Sequence, residues 1–424
     1  MTYRSPRYIV QGGAVLRGTV RVSGAKNLAV AAMCAALLTA DPITLTNVPH
    51  IRDTRKLAEM LETLGASVSH NDGGELRVNA SGVNSTEPPA DLVSTNRASF
   101  QVIGPLLARF GRAASVLPGG DLIGQRPIDV HLAGFVALGA TVEREGELYI
   151  VEAPGGPGTL RGARIFLDYP SVSGTQNVMM AAVLAHGHST LVNAATEPEV
   201  QHLAHLLNAM GARITGIGTQ VIEIDGVPAL GPANYRVMPD RIEAGTYAIA
   251  TAMTGGEVEL LDTPAAFMDA PLAKLREAGV DIEEGEGYIR VSRPGPLRPI
   301  DFQALPYPGL ATDLQAPMAA MLTQAEGISS VHERVFDNRM LYTGELRKMG
   351  AEIVDVGNSA IIRGPSPLHG AQVHALDVRA GAAVLLGALV AAGTTTIEDI
   401  YHLDRGYENL TGKLRGLGVE LERN

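Results

Sequence analysis

Tryptophan is absent from this chain of 424 residues, and cysteine occurs once, at Cys34. A single thiol excludes an internal disulfide and fits a reducing compartment. Cys34 lies in Ala-Met-Cys-Ala-Ala, the setting of an inert core residue. With no tryptophan and with 48 glycines among alanine-rich runs, the core has few bulky anchors and must bring backbones close together. Positive charge is in deficit: 34 Lys and Arg against 45 Asp and Glu leave a net charge of −11. That balance argues against a nucleic-acid or anionic-membrane surface, although a local basic cleft can still take an anionic ligand. Long hydrophobic runs are missing too. The longest, around Ala380–Ala392, is too short for a bilayer and is broken by glycines. Met1–Gln11 is polar, with Arg4 and Arg7, and has no apolar run of the signal-peptide kind. These absences predict a soluble cytoplasmic protein.

What is present is an ordinary globular balance, 46% hydrophobic against 19% charged, which argues against disorder. The length predicts two or three domains. The dominant signal is a repeat. Leu/Met-Gly-Ala-x-Val/Ile occurs at Leu64–Val68, Leu138–Val142, Met210–Ile214 and Met349–Ile353, with degenerate copies at Ala278–Ile282 and Leu417–Leu421. The glycines at 65, 139, 211, 279, 350 and 418 recur roughly every 70 residues. An amphipathic helical pattern precedes each copy, as in Thr54–Leu64 and Val200–Met210. The glycine then reads as the residue that ends the helix, and the alternation after it as a strand.

A second helix of different character recurs, over Asn27–Leu38, Ala98–Phe110, Thr175–Ala185, Ala244–Met253, Asp313–Leu322 and Ala380–Ala391. These six are apolar nearly all round and too short for a membrane, so they are expected to be buried on every side. Three units closing around three such helices give a domain with helices inside and with sheet and amphipathic helices outside. The predicted fold is therefore α/β, two domains of three repeated units each.

The starts of the buried helices carry Lys or Arg in Ser23-Gly-Ala-Lys26-Asn27, Ser94-Thr-Asn-Arg97, Pro239-Asp-Arg241 and Asp377-Val-Arg379. Ser, Thr and Asp there are ordinary caps, but a cation opposes the helix dipole. An anion held between them would reconcile the two. Arg52, Arg126 and Arg405 precede their repeat glycines by the same interval, which predicts a basic rim on one face of the repeats. The loop Leu117–His131 has three glycines within six positions, with Asp121 among them and Arg126 and Asp129 after them. It suits a lid that closes over a ligand.

Ser23–Asn27, Leu117–His131, Ala311–Gln315 and Tyr401–Glu408 together resemble the UDP-N-acetylglucosamine 1-carboxyvinyltransferase family, across essentially the whole chain. The resemblance implies the two-domain inside-out α/β barrel (the enolpyruvyl transferase fold), with domains 26–234 and 1–25 plus 235–424 and the active site in the cleft between them. It implies transfer of the enolpyruvyl group of phosphoenolpyruvate to the 3-hydroxyl of UDP-N-acetylglucosamine, with release of phosphate. That reaction opens peptidoglycan precursor synthesis, hence cell-wall biogenesis, cell shape and division. No cofactor and no metal is implied. Lys26, Asn27, Arg126 and Arg405 match the phosphoenolpyruvate clamp. Arg97, Arg126, Pro127, Ile128, Asp129, Val130, Ser171, Val172, Ser173, Asp313 and Val335 match UDP-sugar contacts, with Asp377 a further nucleotide candidate. Asp313 is implied as the base that accepts the 3-hydroxyl proton, or else is a plain helix cap. Arg339 and Arg379 resemble cleft residues without an assigned role.

Two positions depart from the family pattern. The lid tip, usually cysteine, is Asp121, which is expected to serve as general acid or as a gate for product release. Tyr169 stands where some members carry lysine near the nucleotide. Two rival readings remain. One is the sister enzyme making 5-enolpyruvylshikimate 3-phosphate, against which Gly24-Ala-Lys26-Asn27 lacks the expected Lys-Ser. The other is a non-catalytic repeat scaffold, against which stands the clustering of charge at equivalent repeat positions.

Overall fold

The structure is a computed structural model and describes residues 6–71, 74–94, 97–119 and 128–424. The chain divides into two compact units, crossing between them after Ser23 and after Met238. The expected cuts at Lys26 and Asn234 lie a few residues away. A cut after Asn234 would have split the strand Ala233–Arg236, which pairs in register with Ile43–Thr46. Within the 24–238 unit Ala25 N donates to Met238 O (2.7 Å), and within the other unit Asp240 N donates to Ser23 O (2.8 Å).

The six inner helices form where Ala, Leu, Val, Ile and Met predominate and the polar residues among them, such as Asn177 and Gln315, are themselves buried. They are Lys26–Ala35, Ile103–Phe110, Val172–Ala182, Arg241–Thr254, Thr312–Leu322 and Val378–Val390. Every residue of Arg241–Thr254 is buried. Cys34 lies among them, fully buried, and burial pushes its thiol up. The expected helix over Ala98–Phe110 is a 3₁₀ segment, Arg97–Val102, followed by a short α-helix. Pro105 explains the difference, because its ring cannot follow an α-helical turn through the carbonyl of Gln101.

The outward helices are Arg52–Thr63, Asp129–Ala137, Pro198–Ala209, Asp269–Glu277, Tyr342–Lys348 and Leu410–Gly416. After each, the repeat glycine takes a left-handed φ, between +93° and +106°. The hydrogen bonds repeat six times in one form. In the first copy Gly65 N donates to Glu62 O, and Ala66 N reaches back to Leu61 O, the double bond that closes a helix on a left-handed residue.

Among the described residues there are three sheets in each unit, five of four strands and one of three. In three repeats a strand, an inner helix and a second strand form a parallel crossover: Arg164–Phe166 with His188–Val192, Phe302–Ala304 with Gly327–Glu333, and Gln372–His374 with Thr394–Glu398. Two repeats exchange this edge strand. Arg17–Arg21 precedes the helix Lys26–Ala35, yet it pairs with Glu257–Leu261 in the other unit's sheet; Ala233–Arg236 returns the exchange by pairing with Ile43–Thr46. In the three-stranded sheet the edge is reduced to one bond, Ala114 N to Thr86 O.

The repeat glycine gives a test of this account. A methyl group at Gly211 would meet nothing within 4 Å, while its φ is +106°. Gly211→Ala is therefore expected to cost about 1–2 kcal/mol through backbone conformation alone, read as a lower urea midpoint with unchanged slope.

Candidate functional site

In the 24–238 unit, Lys26 is the first residue of its inner helix, with Asn27 half-buried beside it. Lys26 Nζ sits 2.7 Å from Asp53 Oδ2, the two side chains being 12% and 3% exposed. Asp53 lies in the first turn of Arg52–Thr63, where the helix dipole favours a carboxylate. The cation that opposes one helix start is thus matched by an acid at another. Nothing in the repeat pattern singled out Asp53, although an acid next to Arg52 at a helix start was a readable sign.

A second group in this unit gathers residues far apart in sequence. Ser171 caps the helix Val172–Ala182, its Oγ accepting from Gly174 N at 3.1 Å. A side chain at Gly174 would meet Val130 Cγ1 at 2.8 Å, so Val130 lies against this helix start. Asp129 Oδ1 accepts from Val130 N (2.9 Å) and from the Tyr169 hydroxyl (3.4 Å). Burial first, then the Asp129 carboxylate, raises the Tyr169 phenol, and the positive charge of Arg97 pulls the other way. Ser173 Oγ is 3.3 Å from His131 Nε2. Ile128 is buried just before Asp129. The predicted residues Arg97, Ile128, Asp129, Val130, Ser171, Val172 and Ser173 therefore share one neighbourhood. His131 and Asn177, which complete it, were not singled out as site residues.

In the 239–424 unit the organising residue is Asp313. The expectation that it caps its helix is not met: Ala311 holds the cap position without a side-chain bond, and Asp313 follows Thr312 in the first turn. Arg339 Nη2 donates to its Oδ1 (2.7 Å) and Arg379 Nη2 to its Oδ2 (2.8 Å). Burial alone would raise this carboxyl, but the Arg379 and Arg339 guanidiniums overcome it and hold Asp313 well below the usual carboxylate range. Its side chain keeps 22% of its surface open, so a ligand can still approach it. Pro317, inside the same helix, has no N–H for the Asp313 carbonyl, which further loosens this turn.

The network spreads from there. Arg339 Nη1 donates to Thr312 Oγ1 (2.8 Å), and Thr312 Oγ1 donates to Glu333 Oε2 (2.7 Å). Glu333 Oε1 accepts from Val335 N (2.7 Å) and Phe336 N (3.2 Å), which ties the partly exposed Val335 to the Asp313 group. Arg379 Nη1 donates to the Tyr407 hydroxyl (3.2 Å). Asp377 is the cap of Val378–Val390, its Oδ1 accepting from Arg379 N (2.6 Å) and Ala380 N (3.0 Å). Arg405 is buried at the end of the 3₁₀ segment Leu403–Arg405. Lys26 and Arg405 belong to different units. Asp121, Arg126 and Pro127 lie outside the described residues. Among the described residues no cluster of His, Cys, Asp and Glu could hold a metal ion, and no helix is long and apolar enough to cross a membrane.

The pairing of Asp313 has a sign in pH. Its carboxyl is held down in the folded state, so its stabilisation is present above the unfolded aspartate value near about 4 and is lost as pH falls below it. Asp313→Asn is expected to lose about 3 kcal/mol at neutral pH. The gap to the parent protein should stay constant down to about pH 5 and shrink below about pH 4, which urea unfolding at a series of pH values will measure.

Residues 10–414 match the family described as EPSP synthase (3-phosphoshikimate 1-carboxyvinyltransferase). The chain is 48% identical over 419 residues to a UDP-N-acetylglucosamine 1-carboxyvinyltransferase of Trichlorobacter lovleyi, covering 98% of this chain and 99% of the relative. It is 46% identical over 418 residues to the enzyme of the same name from Magnetococcus marinus, again covering 98% and 99%. Among solved structures, the enolpyruvyl transferase NikO from Streptomyces tendae superposes with a TM-score of 0.90 at 26% identity, over 99% of each chain. An EPSP synthase from Acinetobacter baumannii gives 0.75 at 17% identity over 99% of this chain and 100% of that one, a likeness of fold. With sequence identity near half over nearly the whole length, the chain belongs to the UDP-N-acetylglucosamine 1-carboxyvinyltransferases, within the EPSP synthase family.

Proposed function

We propose that this protein transfers the enolpyruvyl group of phosphoenolpyruvate to the 3-hydroxyl of UDP-N-acetylglucosamine and releases phosphate. The product is the first committed precursor of peptidoglycan. The observation that carries the reading is the near-full-length relation to two enzymes of that name. The sister reaction on shikimate 3-phosphate is disfavoured because the Acinetobacter EPSP synthase is only 17% identical. The site residues follow the same reading. Lys26, Asn27, Arg126 and Arg405 clamp the phosphate and carboxylate of phosphoenolpyruvate. Arg97, Asp129–Val130 and Ser171–Ser173 take the nucleotide, which their shared neighbourhood supports. Val335 is a further nucleotide contact, and Asp313 takes the sugar 3-hydroxyl.

In the addition step the sugar 3-oxygen bonds to C2 of phosphoenolpyruvate, C3 gains a proton from Asp121, and the hydroxyl proton passes to Asp313. In the elimination step C3 loses a proton and the C2–O bond to phosphate breaks, so the phosphate leaves with its electron pair. A carboxylate held down by two guanidiniums is a weak base. Asp313 therefore accepts the proton only once O–C2 bonding is advanced and the hydroxyl has become acidic. The protein works in the cytoplasm, where both substrates are found, and needs no metal or organic cofactor, because phosphate is already an activated leaving group.

Phosphate release is expected with phosphoenolpyruvate plus UDP-N-acetylglucosamine and absent with shikimate 3-phosphate; the reverse pattern would assign the sister reaction. Asp121→Asn is expected to lower kcat at least about 100-fold, and full activity in that variant would remove Asp121 as proton donor while leaving the family assignment in place. An aspartate is a far poorer nucleophile than a thiolate, so fosfomycin-type epoxides should leave the protein unmodified. Asp121→Cys should restore alkylation, read as a mass increase on that residue.

A further inference from the structure

Asn177 projects from the inner helix Val172–Ala182 and is buried. Its side chain stands where an α-helical hydrogen bond is missing. Gly104 N donates to Asn177 Oδ1 (2.8 Å), and Asn177 Nδ2 donates to Phe100 O (2.9 Å). Those two backbone groups are four residues apart and would bond each other in a continuous helix. The amide is inserted between them at the place where the 3₁₀ segment passes into Ile103–Phe110. A side chain at Gly104 would meet Asn177 O at 2.3 Å and Oδ1 at 2.5 Å, so glycine is needed for this approach.

Backbone polarity fixes the orientation of the amide without appeal to hydrogen positions. An N–H can only donate and a carbonyl can only accept, so Oδ1 faces Gly104 and Nδ2 faces Phe100. The second Nδ2 hydrogen then points at His131 Nδ1, 3.0 Å away. That ring nitrogen must present its lone pair. The ring is fully buried, stacks edge-on against Phe100 with centroids 5.3 Å apart, and is lowered to about 3 by burial and by the charge of Arg97. It is neutral at any working pH, and its single proton falls on Nε2. Nε2 is 3.3 Å from Ser173 Oγ. The helix that carries His131 is drawn close because Gly134 has no side chain: a Cβ there would meet Val178 Cγ2 at 2.2 Å.

We infer that His131 is a positioning residue that donates to one lone pair of the Ser173 hydroxyl and so directs the Ser173 proton toward a phosphate oxygen of the nucleotide. The order of bonds is Asn177 Nδ2–H to His131 Nδ1, then His131 Nε2–H to Ser173 Oγ, then Ser173 O–H to the ligand. With Nε2–H on one lone pair this hydroxyl keeps its proton and one further lone pair, and a phosphate oxygen, which has no hydrogen to give, takes the proton. Ser173 lies in the first turn of an inner helix of 11 residues, capped by Ser171, so the dipole adds to the preference for an anionic acceptor. The inference rests on the nucleotide reading of Ser171–Ser173 given above.

Two measurements separate this inference from that reading. Ring ¹⁵N spectra of the full protein are expected to show the His131 proton on Nε2, with Nδ1 bare, at every pH from about 5 to 8. A proton on Nδ1 would overturn the inference whatever the variants do. In kinetics, Ser173→Ala and His131→Phe are each expected to raise KM for UDP-N-acetylglucosamine about tenfold while KM for phosphoenolpyruvate stays put. The double variant should be no worse than either single one, because both remove the same bond. His131→Gln, whose amide can still donate to Ser173, should recover most of the loss, which a purely structural role for the ring would not allow. UDP titration should follow the same order. If Ser173→Ala binds UDP as the parent does, the nucleotide reading of Ser173 fails. If Ser173→Ala weakens UDP but His131→Phe does not, that reading stands and the positioning role is wrong. Should His131→Phe not fold, the ring spectra of the parent protein decide the matter alone.

Discussion

A helix with no polar face must be wrapped on all sides, and this constraint governs the molecule. Arg241–Thr254 is buried at every position, and its five companions are nearly so. Polar chemistry along such helices needs a full set of buried partners, as Asn177 finds. Otherwise it is displaced to their ends, where N–H groups without intrahelical partners need acceptors in any case. Asp240, Asp377 and Ser171 meet that need as caps. Lys26, Asp313 and Ser173, which we propose as site residues, and Arg379 lie in first turns of inner helices. The positions of these charged and polar residues thus follow from how the core is built.

The helix starts explain how cations come to sit where the dipole opposes them. An isolated buried cation would cost several kcal/mol. Lys26 is matched by Asp53, and Arg379 by Asp313, which Arg339 also holds. The expectation from the sequence was an anion held between such cations. It overlooked that the protein supplies part of the counter-charge itself, from carboxylates at neighbouring helix starts. In the Asp313 group one acid is shared by two guanidiniums, and the carboxylates of Glu333 and Asp377 join the same network.

Much of the architecture was readable because it is periodic. The glycine of Leu-Gly-Ala is needed for a left-handed φ, and the residue after it closes the helix by the bond seen from Ala66 to Leu61. One physical requirement repeated six times leaves one sequence mark six times. The inner helices were legible for an equally local reason, the absence of any polar stripe. The exchange of Arg17–Arg21 and Ala233–Arg236 between sheets leaves no such mark. Each strand has the composition its own repeat would call for, and only pairing at long range tells which sheet it joins. That Asp129, Val130, Ser171 and Ser173 belong together was suggested by resemblance, but Asn177 and His131 were not singled out. Their roles depend on a side-chain amide meeting a backbone gap contributed by residues more than 70 positions away.

That gap shows how a break in regular structure becomes useful. Pro105 prevents the inner helix of its repeat from continuing as an α-helix through residues 97–102. A missing ladder bond in a dry core would leave Phe100 O and Gly104 N unsatisfied, at about 1–3 kcal/mol each. Asn177 removes both penalties with one amide, and its remaining hydrogen must then find an acceptor. His131 Nδ1 is that acceptor, and the choice fixes where the ring keeps its proton. The irregular helix is therefore more than a tolerated defect: the polarity it imposes on Asn177 is passed through a neutral imidazole to the hydroxyl of Ser173.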